Sequence, residues 1–561
     1  MDRRGARPGA GGDLLDGRAD QADPGAHRTG RRPGPHRRLV PGLRGRSGGC
    51  AGGDPAHGSG CRRAAGGRTR TRVARPDRAA GRAGQRSGGP ASGHRALPHL
   101  RDGGVRRRRR LGGSGPRWRC PAALRGRPGV SGFLFRVGVT TAATAVEGAA
   151  GRSATIWDVV AAAPGRIVDG SAGPAAADHL SRRTEDLALL AGAGVQALRF
   201  TLSWARSLPG EPGDGLDPAG LDAADRWVDD LLAAGIEPWP VLYDTELPLA
   251  LMLTGGWLDR DTASWFGDFA AACGERLADR AAGWTTLADP FQHLAFGHAA
   301  GVDAPGLTLL DEAFPVTHHL LLGHAVARDA LHDNGARVVG ISNQHSPVRP
   351  ATDSAANRRA ALQFRIYRSD QFAQPVLRGR YPRAMQEAVA ESGVVLDGDL
   401  QRIHGRLDFY GVEHPHPITV AAAPDNTRVP FSTVEAVPDG PATEGGWEVD
   451  PAGLADTLHA LARRYPDLPP LVVTENGAAY DPTTDAGDAA RIAHLTAHLE
   501  AVRAVAEAGV PVLAHFHRSL IDGWEGSDGF TRHHGLVAVD PVTGDRTARP
   551  SLAALARLLD S

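Results

Sequence analysis

Two acids in this 561-residue chain sit where carboxyl chemistry is expected, Asp289 and Glu475. Asp289 lies in residues 284–290, WTTLADP, where a β-branched pair runs into an acid and a proline follows at once. Proline has no N–H to extend a ladder, so the strand is expected to stop there with Asp289 on its last residue. Glu475 lies in residues 471–476, LVVTEN, a second apolar run that ends in polar residues. A carboxyl at the end of a buried strand is costly unless it has a partner or a task. Two such carboxyls facing each other can divide a reaction: one donates a proton while the other attacks or activates water.

Whether they face each other depends on the elements that carry them. From residue 133 onward short apolar runs alternate with helical patterns. The runs are 133–140 (FLFRVGVT), 196–204 (QALRFTLSW), 237–243 (EPWPVLY), 283–289 (GWTTLAD), 338–343 (VVGISN), 408–414 (DFYGVEH), 471–476 (LVVTEN) and 510–517 (VPVLAHFH). Between them lie amphipathic stretches such as 179–194, closed by Gly194, and 221–235, 262–279, 314–335, 452–465 and 491–509. Continuous apolar strands separated by helices imply a parallel sheet, and eight of them imply an α/β fold, a single closed (β/α)8 TIM barrel with insertions. Chemistry in that fold sits at the C-terminal ends of the strands. Those ends carry Arg199, Asp244, Glu246, Asp289, Asn343, Glu413, His414, Glu475, His515, His517 and Arg518. Acids ending the fourth and seventh strands would oppose each other across the barrel mouth, which is the arrangement glycosidic bond cleavage uses.

The first 130 residues read differently. They hold 31 arginines against 8 aspartates and no glutamate, and the chain as a whole contains no lysine. Gly and Pro interrupt every possible element, and apolar periodicity is lacking. Such a segment buries too little surface to offset its ordering entropy. Three readings stand: a basic nucleic-acid-binding tail around Arg106–Arg110, a disordered tail, or translation of GC-rich DNA upstream of or out of frame with the true start near Val130. The third is preferred, so residues 1–130 are expected not to be a domain and 131–561 to form the barrel. No nucleic-acid partner is expected.

Cys50, Cys61 and Cys120 fall in the basic segment and only Cys273 in the rest, so no disulfide framework and no CxxC metal signature is implied. No run reaches the ~18 apolar residues of a membrane span, and no apolar core follows the N-terminal arginines. A cytoplasmic protein without a membrane partner is expected. The pairs His414/His416 and His515/His517 place rings on one face of a strand as metal ligands would, but Pro415 and Pro417 spoil the first, and hydrogen bonding is the preferred reading. His318, His319 and His324 lie on a helix and read as packed or solvent-facing. No metal and no cofactor is expected.

A set of motifs in order then carries a resemblance. These are VEGA (146–149), TIWD (155–158), PGRI (164–167), DHLSRRTEDLALL from Asp178, LRFTLSWAR (198–206), AGIEP (234–238) and GGWLDRDT (255–262). HAAGVDAPG from His298, RGRYP (378–382), GWEVDPAGL (446–454), VVTENGAAYD (472–481) and SLIDGWE (519–525) follow. Over residues 133–559 the chain resembles glycoside hydrolase family 1, the β-glucosidase family. The resemblance implies that Glu475 in TENG is the nucleophile, oriented by Arg199. It sets Asp289 where the family's T-x-N-E-P motif has its acid/base Glu, and Ala288 at the Asn of that motif. The family's sugar-gripping Gln falls at Ala145, its His at Asp244, the Trp beside that His at Thr245, and the Tyr supporting the nucleophile near Pro415. Arg518 and Gly526 stand at two further Trp positions, while Glu525 and Trp447 are kept. The substrate-binding set is therefore Glu525, Trp447, Asp244, Glu413 and Arg518, for a small-molecule glycoside or other metabolite.

Each change has a physical consequence. Asp in place of Glu withdraws the carboxyl by one C–C bond, about 1.5 Å, and proton transfer needs ~2.6–3.2 Å reach. Arg518 brings a cation near Glu475, which favours an ion pair over attack. Three readings of function follow: a β-glycosidase of altered or weak activity, a repurposed barrel enzyme doing acid/base chemistry on a non-sugar or anionic metabolite with Arg518 as anion clamp, or a non-catalytic pseudoglycosidase. The first is preferred.

Overall fold

The computed structural model describes residues 135–173, 177–426, 429–434 and 442–560. The readings made for residues 1–130 lie outside that range. Eight parallel strands close into a barrel: β1 (Arg136–Thr141), β2 (Ala197–Thr201), β3 (Glu237–Tyr243), β4 (Trp284–Leu287), β5 (Val339–Gln344), β6 (Phe409–Glu413), β7 (Leu471–Asn476) and β8 (Val512–His517). Each strand pairs with its neighbours in sequence, and β8 returns to β1 through Arg136↔Ala514 to Val139↔His517. The helices include α1 (His179–Gly192), α2 (Asp222–Ala233), α3 (Asp261–Leu277), α4 (Phe314–Asp333), α5 (Gln371–Arg378), α6 (Pro451–Arg464), α7 (Asp485–Glu507) and α8 (Pro550–Asp560). Local chemistry sets their limits. The Asp450 carboxyl accepts from Gly453 N–H and Pro451 takes the first helical position at the start of α6, while Thr484 caps α7 through Gly487 N–H.

Period-two alternation divides each barrel strand between two cores. Ala197, Trp239, Phe409, Val472, Ala514 and Phe516 pack together inside the barrel, whereas Leu198, Phe200, Tyr410 and Val473 face the helices. Trp239 lies edge-on to Phe409 and Phe516, with ring centroids 5.8 and 5.4 Å apart. Rings of that size fit because two facing positions have no side chain. A Cβ on Gly138 would come within 2.7 Å of the Phe516 ring, and one on Gly340 within 2.6 Å of the Phe409 ring. This aromatic plug closes the interior, so polar groups further along the inward faces are presented at one end.

Two details correct the sequence reading. Strand β4 stops at Leu287, so Asp289 does not end the strand but lies beyond it, in a left-handed conformation at φ 40°. Two small sheets also escaped the reading: Val348–Pro350 with Ile418–Ala422 and Phe431–Val434, and the antiparallel pair Val537–Val539 with Arg546–Ala548. Their three- to five-residue strands are too short to show a periodicity. Among the described residues no helix is long and apolar enough to cross a membrane.

Candidate active site

The inward alternation of β2 carries Ala197 and then Arg199, so the guanidinium emerges just beyond the aromatic plug. It spans two carboxyls: Nη1 donates to Glu475 Oε2 and Nη2 to Glu413 Oε1, both at 3.3 Å. On β7 the alternation breaks. The pairing with β6 shifts register between Val473 and Glu475, so the consecutive residues Thr474 and Glu475 reach one polar network. Thr474 Oγ1 meets Ser342 Oγ, which donates to Glu413 Oε1 at 2.8 Å. A bulge next to a site re-aims a side chain in this way.

Glu475 has a second cationic partner. Arg518 Nη1 donates to Glu475 Oε1 at 2.8 Å, and Arg518 Nη2 donates to Glu525 Oε2. Both Glu475 oxygens therefore rest against guanidinium groups, one oxygen each. Burial works against the charge on Arg518, but Glu525 and Glu475 outweigh it and hold the proton more tightly than usual. The Glu475 and Arg518 side chains keep 23% and 35% of their surface exposed, so this pair is partly shielded from solvent.

Asp289 is held by neutral donors. Its Oδ1 accepts from the Gln292 backbone N–H at 3.1 Å and its Oδ2 from the Gln344 amide. Aspartate is a good N-cap because its short side chain can turn back onto the next turn of backbone, and Asp289 caps the turn Pro290–Gln292 in that manner. Burial raises its pKa to about 6, and the charge on Glu475 adds to this, while Gln292 N–H, Arg368 and Gln344 oppose it. Arg368 is buried, sits 5.4 Å from the Phe291 ring centroid, and is itself lowered to about 10 by burial.

The remaining acids close the group. Asp244 follows β3 and is raised to about 7 by burial and by the charges of Glu475 and Asp289, against Arg199 and Arg518. Burial, Asp289 and Glu475 lift Glu413 well above the usual carboxylate range, and burial lifts Glu525 against the pull of Arg518. Mutual electrostatics thus tie Asp244, Asp289, Glu413, Glu475 and Glu525 into one site with Arg199, Arg518 and Arg368.

Sequence-based reading named most of these residues but took the wrong face of β5. It named Asn343, whose amide donates to Tyr410 OH at 3.0 Å outside the barrel interior. Gly340, Ser342 and Gln344 form the inward face, and counting by two from Gly340 would have found the latter pair. Arg368 was missed because it comes from the segment Ile366–Asp370, between β5 and β6, where no strand-end rule applies. Trp447 is 42% exposed and stacks on His416, with centroids 4.2 Å apart. Glu246 turns to Ser203 Oγ, which donates to it at 2.5 Å. His515 and His517 do share a face, but it is the outer one, beside His494 and His498 of α7. His318, His319 and His324 are all packed in the interior. Among the described residues no group of three or more His, Cys, Asp or Glu side chains is arranged to hold a metal ion.

The sequence profile described as glycosyl hydrolase family 1 matches residues 130–559. The chain belongs to glycosyl hydrolase family 1. Curated family relatives include a β-glucosidase of Agrobacterium sp., 36% identical over 432 residues that cover 75% of this chain and 92% of the relative. Thermostable β-glucosidase B of Thermobispora bispora is 38% identical, with 75% and 88% covered. Among solved structures, the family 1 β-glucosidase of Thermotoga maritima superposes with TM-score 0.71 at 32% identity, covering 76% of this chain and 97% of that one. Family membership makes the protein a β-glucosidase-type glycosidase and makes the carboxyl cluster at the barrel mouth its candidate active site.

Proposed function

We propose that this family 1 chain hydrolyses O-glycosyl bonds of a small-molecule β-glycoside with altered or weak activity, using Glu475 and Asp289. The observation that carries the reading is that both acids lie at the C-terminal end of the barrel, one just beyond β4 and one on β7, with Arg199 bound to Glu475. Arg199 fixes Glu475 Oε2, which leaves Oε1 to attack the anomeric carbon once Arg518 lets it go. As the glycosidic C–O bond breaks, Asp289 gives its proton to the departing oxygen. It then takes a proton from the water that displaces Glu475, so acid and base are the same group in two steps. A pKa raised to about 6 suits both roles near neutrality.

The same contacts support weakness. Attack requires Glu475 to give up a charge-assisted bond to Arg518, and Asp289 must leave its cap to reach a leaving oxygen. The test is turnover of aryl β-glycosides by the full chain, with Glu475→Gln as control. Slow release of the aryl alcohol is expected in the parent protein, with a loss on the order of 10³-fold or more in the variant. Release that persists unchanged in Glu475→Gln would remove Glu475 from the chemistry. The anomer formed first, read by NMR, separates direct attack from water activation.

A further inference from the structure

A second polar cluster lies behind the site, on the outer face of the barrel. Ala514 and Phe516 of β8 turn inward, so His515 and His517 face outward, toward His494 and His498 of α7. His414, one residue past β6, and His534 complete the group, and all six rings are buried. The His494 and His498 rings stack with centroids 4.0 Å apart, and His414 lies 6.4 Å from His498. Few of their nitrogens are bonded. His498 Nδ1 donates to His494 O at 2.9 Å, His414 Nδ1 to His345 O at 3.0 Å and His515 Nε2 to Asn476 Oδ1 at 3.4 Å. His494 Nδ1 meets Tyr480 OH at 3.0 Å. Among the described residues, Nε2 of His414 and His494, Nδ1 of His515 and His534, and both nitrogens of His517 have no protein partner.

Nothing close by is placed to welcome a proton. The histidine–carboxylate pairs of the described residues lie elsewhere, at His179, His318, His332 and His533. The charges that face the cluster are mainly cationic. Arg491 and Arg503 of α7, Arg518 and Arg532 beyond β8, and Arg368 and His416 beside His414 all oppose a proton there. Asp450, at the cap of α6, favours one at His498, while Asp488 and Asp522 pair with Arg491 and Arg549. Burial lowers all six, His414 and His515 to about 3 and His498 to about 4, so the rings are neutral at pH 7. The cluster is also tied to the strand ends that carry the site. The His414 backbone N–H donates to Glu475 O at 2.9 Å, and that of Arg518 to Asn476 O at 3.1 Å. The Asn476 amide donates to His414 O at 3.0 Å, and Ser519 N–H to His534 O at 3.2 Å. The buried face of α7 changes along its length: Arg491, His494, Leu495 and His498 come first, then Leu499, Val502 and Val505. Its first half therefore depends on imidazoles staying neutral, and its second on aliphatic packing.

We infer that these six histidines form an acid-operated latch: protonation frees the first half of α7 and residues 518–534, and so slackens the strand ends that hold Glu475 and Arg518. The effect on turnover rests on the glycosidase reading; the opening itself does not. A histidine released into water titrates near ~6.5. Each one released takes up a proton below that pH, so stability held by the neutral rings is present above it and is lost as pH falls. Opening then depends on a power of the proton concentration equal to the number of histidines freed.

Hydrogen exchange of the full chain, read by mass spectrometry at pH 7 and pH 5 and corrected for the intrinsic rate at each pH, measures the opening. Release of two or more histidines should speed exchange in residues 485–498 and 518–534 by roughly a hundredfold or more at pH 5. Helices α3 and α4 should change far less; there His318 keeps Asp399 and Tyr381 as partners at 2.9 and 3.0 Å. Aryl β-glycoside turnover, followed in parallel, should fall at pH 5 and return at pH 7. His517→Leu loses no hydrogen bond and removes one proton site, so it should cut the opening at pH 5 by roughly tenfold. The pH comparison on the unaltered protein stands even if that variant folds poorly. Exchange in residues 485–498 that is unchanged at pH 5, or matched by equal loosening of α3 and α4, overturns the latch. Local opening with turnover unaffected overturns its control of the site. Local, reversible opening in a chain that turns over no aryl glycoside at any pH supports the latch while sinking the hydrolase reading.

Discussion

The acids at the two sides of the barrel mouth are held by opposite kinds of partner. Glu475 lies between the guanidinium groups of Arg199 and Arg518, while Asp289 accepts from a backbone N–H and a side-chain amide. Two cations stabilise charge on a carboxylate; two neutral dipoles orient a carboxyl and compete less well with burial. Burial therefore dominates at Asp289 and raises it to about 6. One scaffold gives one acid fixed charge partners and the other a raised pKa, and under the proposed mechanism that difference separates nucleophile from proton donor.

The largest effect should come from breaking the proton-exchanging side. Asp289→Asn keeps the cap to Gln292 N–H but cannot donate a carboxyl proton. For glycosides with alkyl leaving groups kcat should fall by roughly 10²–10⁴, the usual share of general acid catalysis. Aryl glycosides with a good leaving group need less protonation and should lose much less in bond cleavage. Equal losses on both substrate classes in kcat/KM, which ends at bond cleavage and excludes the later water step, would mean that Asp289 positions the site without giving a proton to the leaving group.

A smaller effect should follow from loosening the other side. Arg518→Gln removes the cation on Glu475 Oε1 and leaves Arg199 on Oε2. If Arg518 restrains the nucleophile, kcat on aryl glycosides should rise by roughly tenfold, about one pKa unit's worth of differential stabilisation. A fall in kcat together with a raised KM would instead place Arg518 among the groups that grip the substrate.

The comparison also explains what could be read in the sequence. The barrel was legible because eight apolar runs and their helices repeat a simple pattern, and Glu475, Arg199 and Glu413 follow from strand ends and alternation. The capping role of Asp289 was not legible. It depends on two residues beyond β4 and on a left-handed backbone that no periodicity encodes. Ser342 and Gln344 follow from the two-residue alternation of β5, whereas Asn343, the last residue of the apolar run, lies on the outer face. Arg368 becomes a neighbour of Asp289 only after the chain between β5 and β6 folds over the barrel mouth. The pairing of Arg518 with Glu475 followed from charge and position, whereas its second grip on Glu525 needed coordinates.

The finest test addresses the dipoles on Asp289. The Gln344 amide donates to Asp289 Oδ2 and so favours the ionised form, opposing burial. Gln344→Leu removes that donor while Gln292 N–H, Arg368 and Glu475 remain around the carboxyl. The Asp289 pKa should then rise above about 6, by something under ~1 unit, the share of one neutral hydrogen bond. A proton donor works below its own pKa, so the basic limb of kcat/KM should move to higher pH while the acidic limb stays in place. Stability should move with it. A carboxyl whose folded pKa exceeds its unfolded value stabilises the fold at pH below the unfolded value, and this is lost as pH rises through the folded one. For Asp289 that loss runs from about 4 to about 6, and in Gln344→Leu it should extend further upward. Thermal melts at pH 5 and pH 8 measure it as a larger difference in Tm than the parent shows. A basic limb that stays put in an active, folded variant would mean that Gln344 does not act on the exchanging proton and that Asp289 is not its carrier.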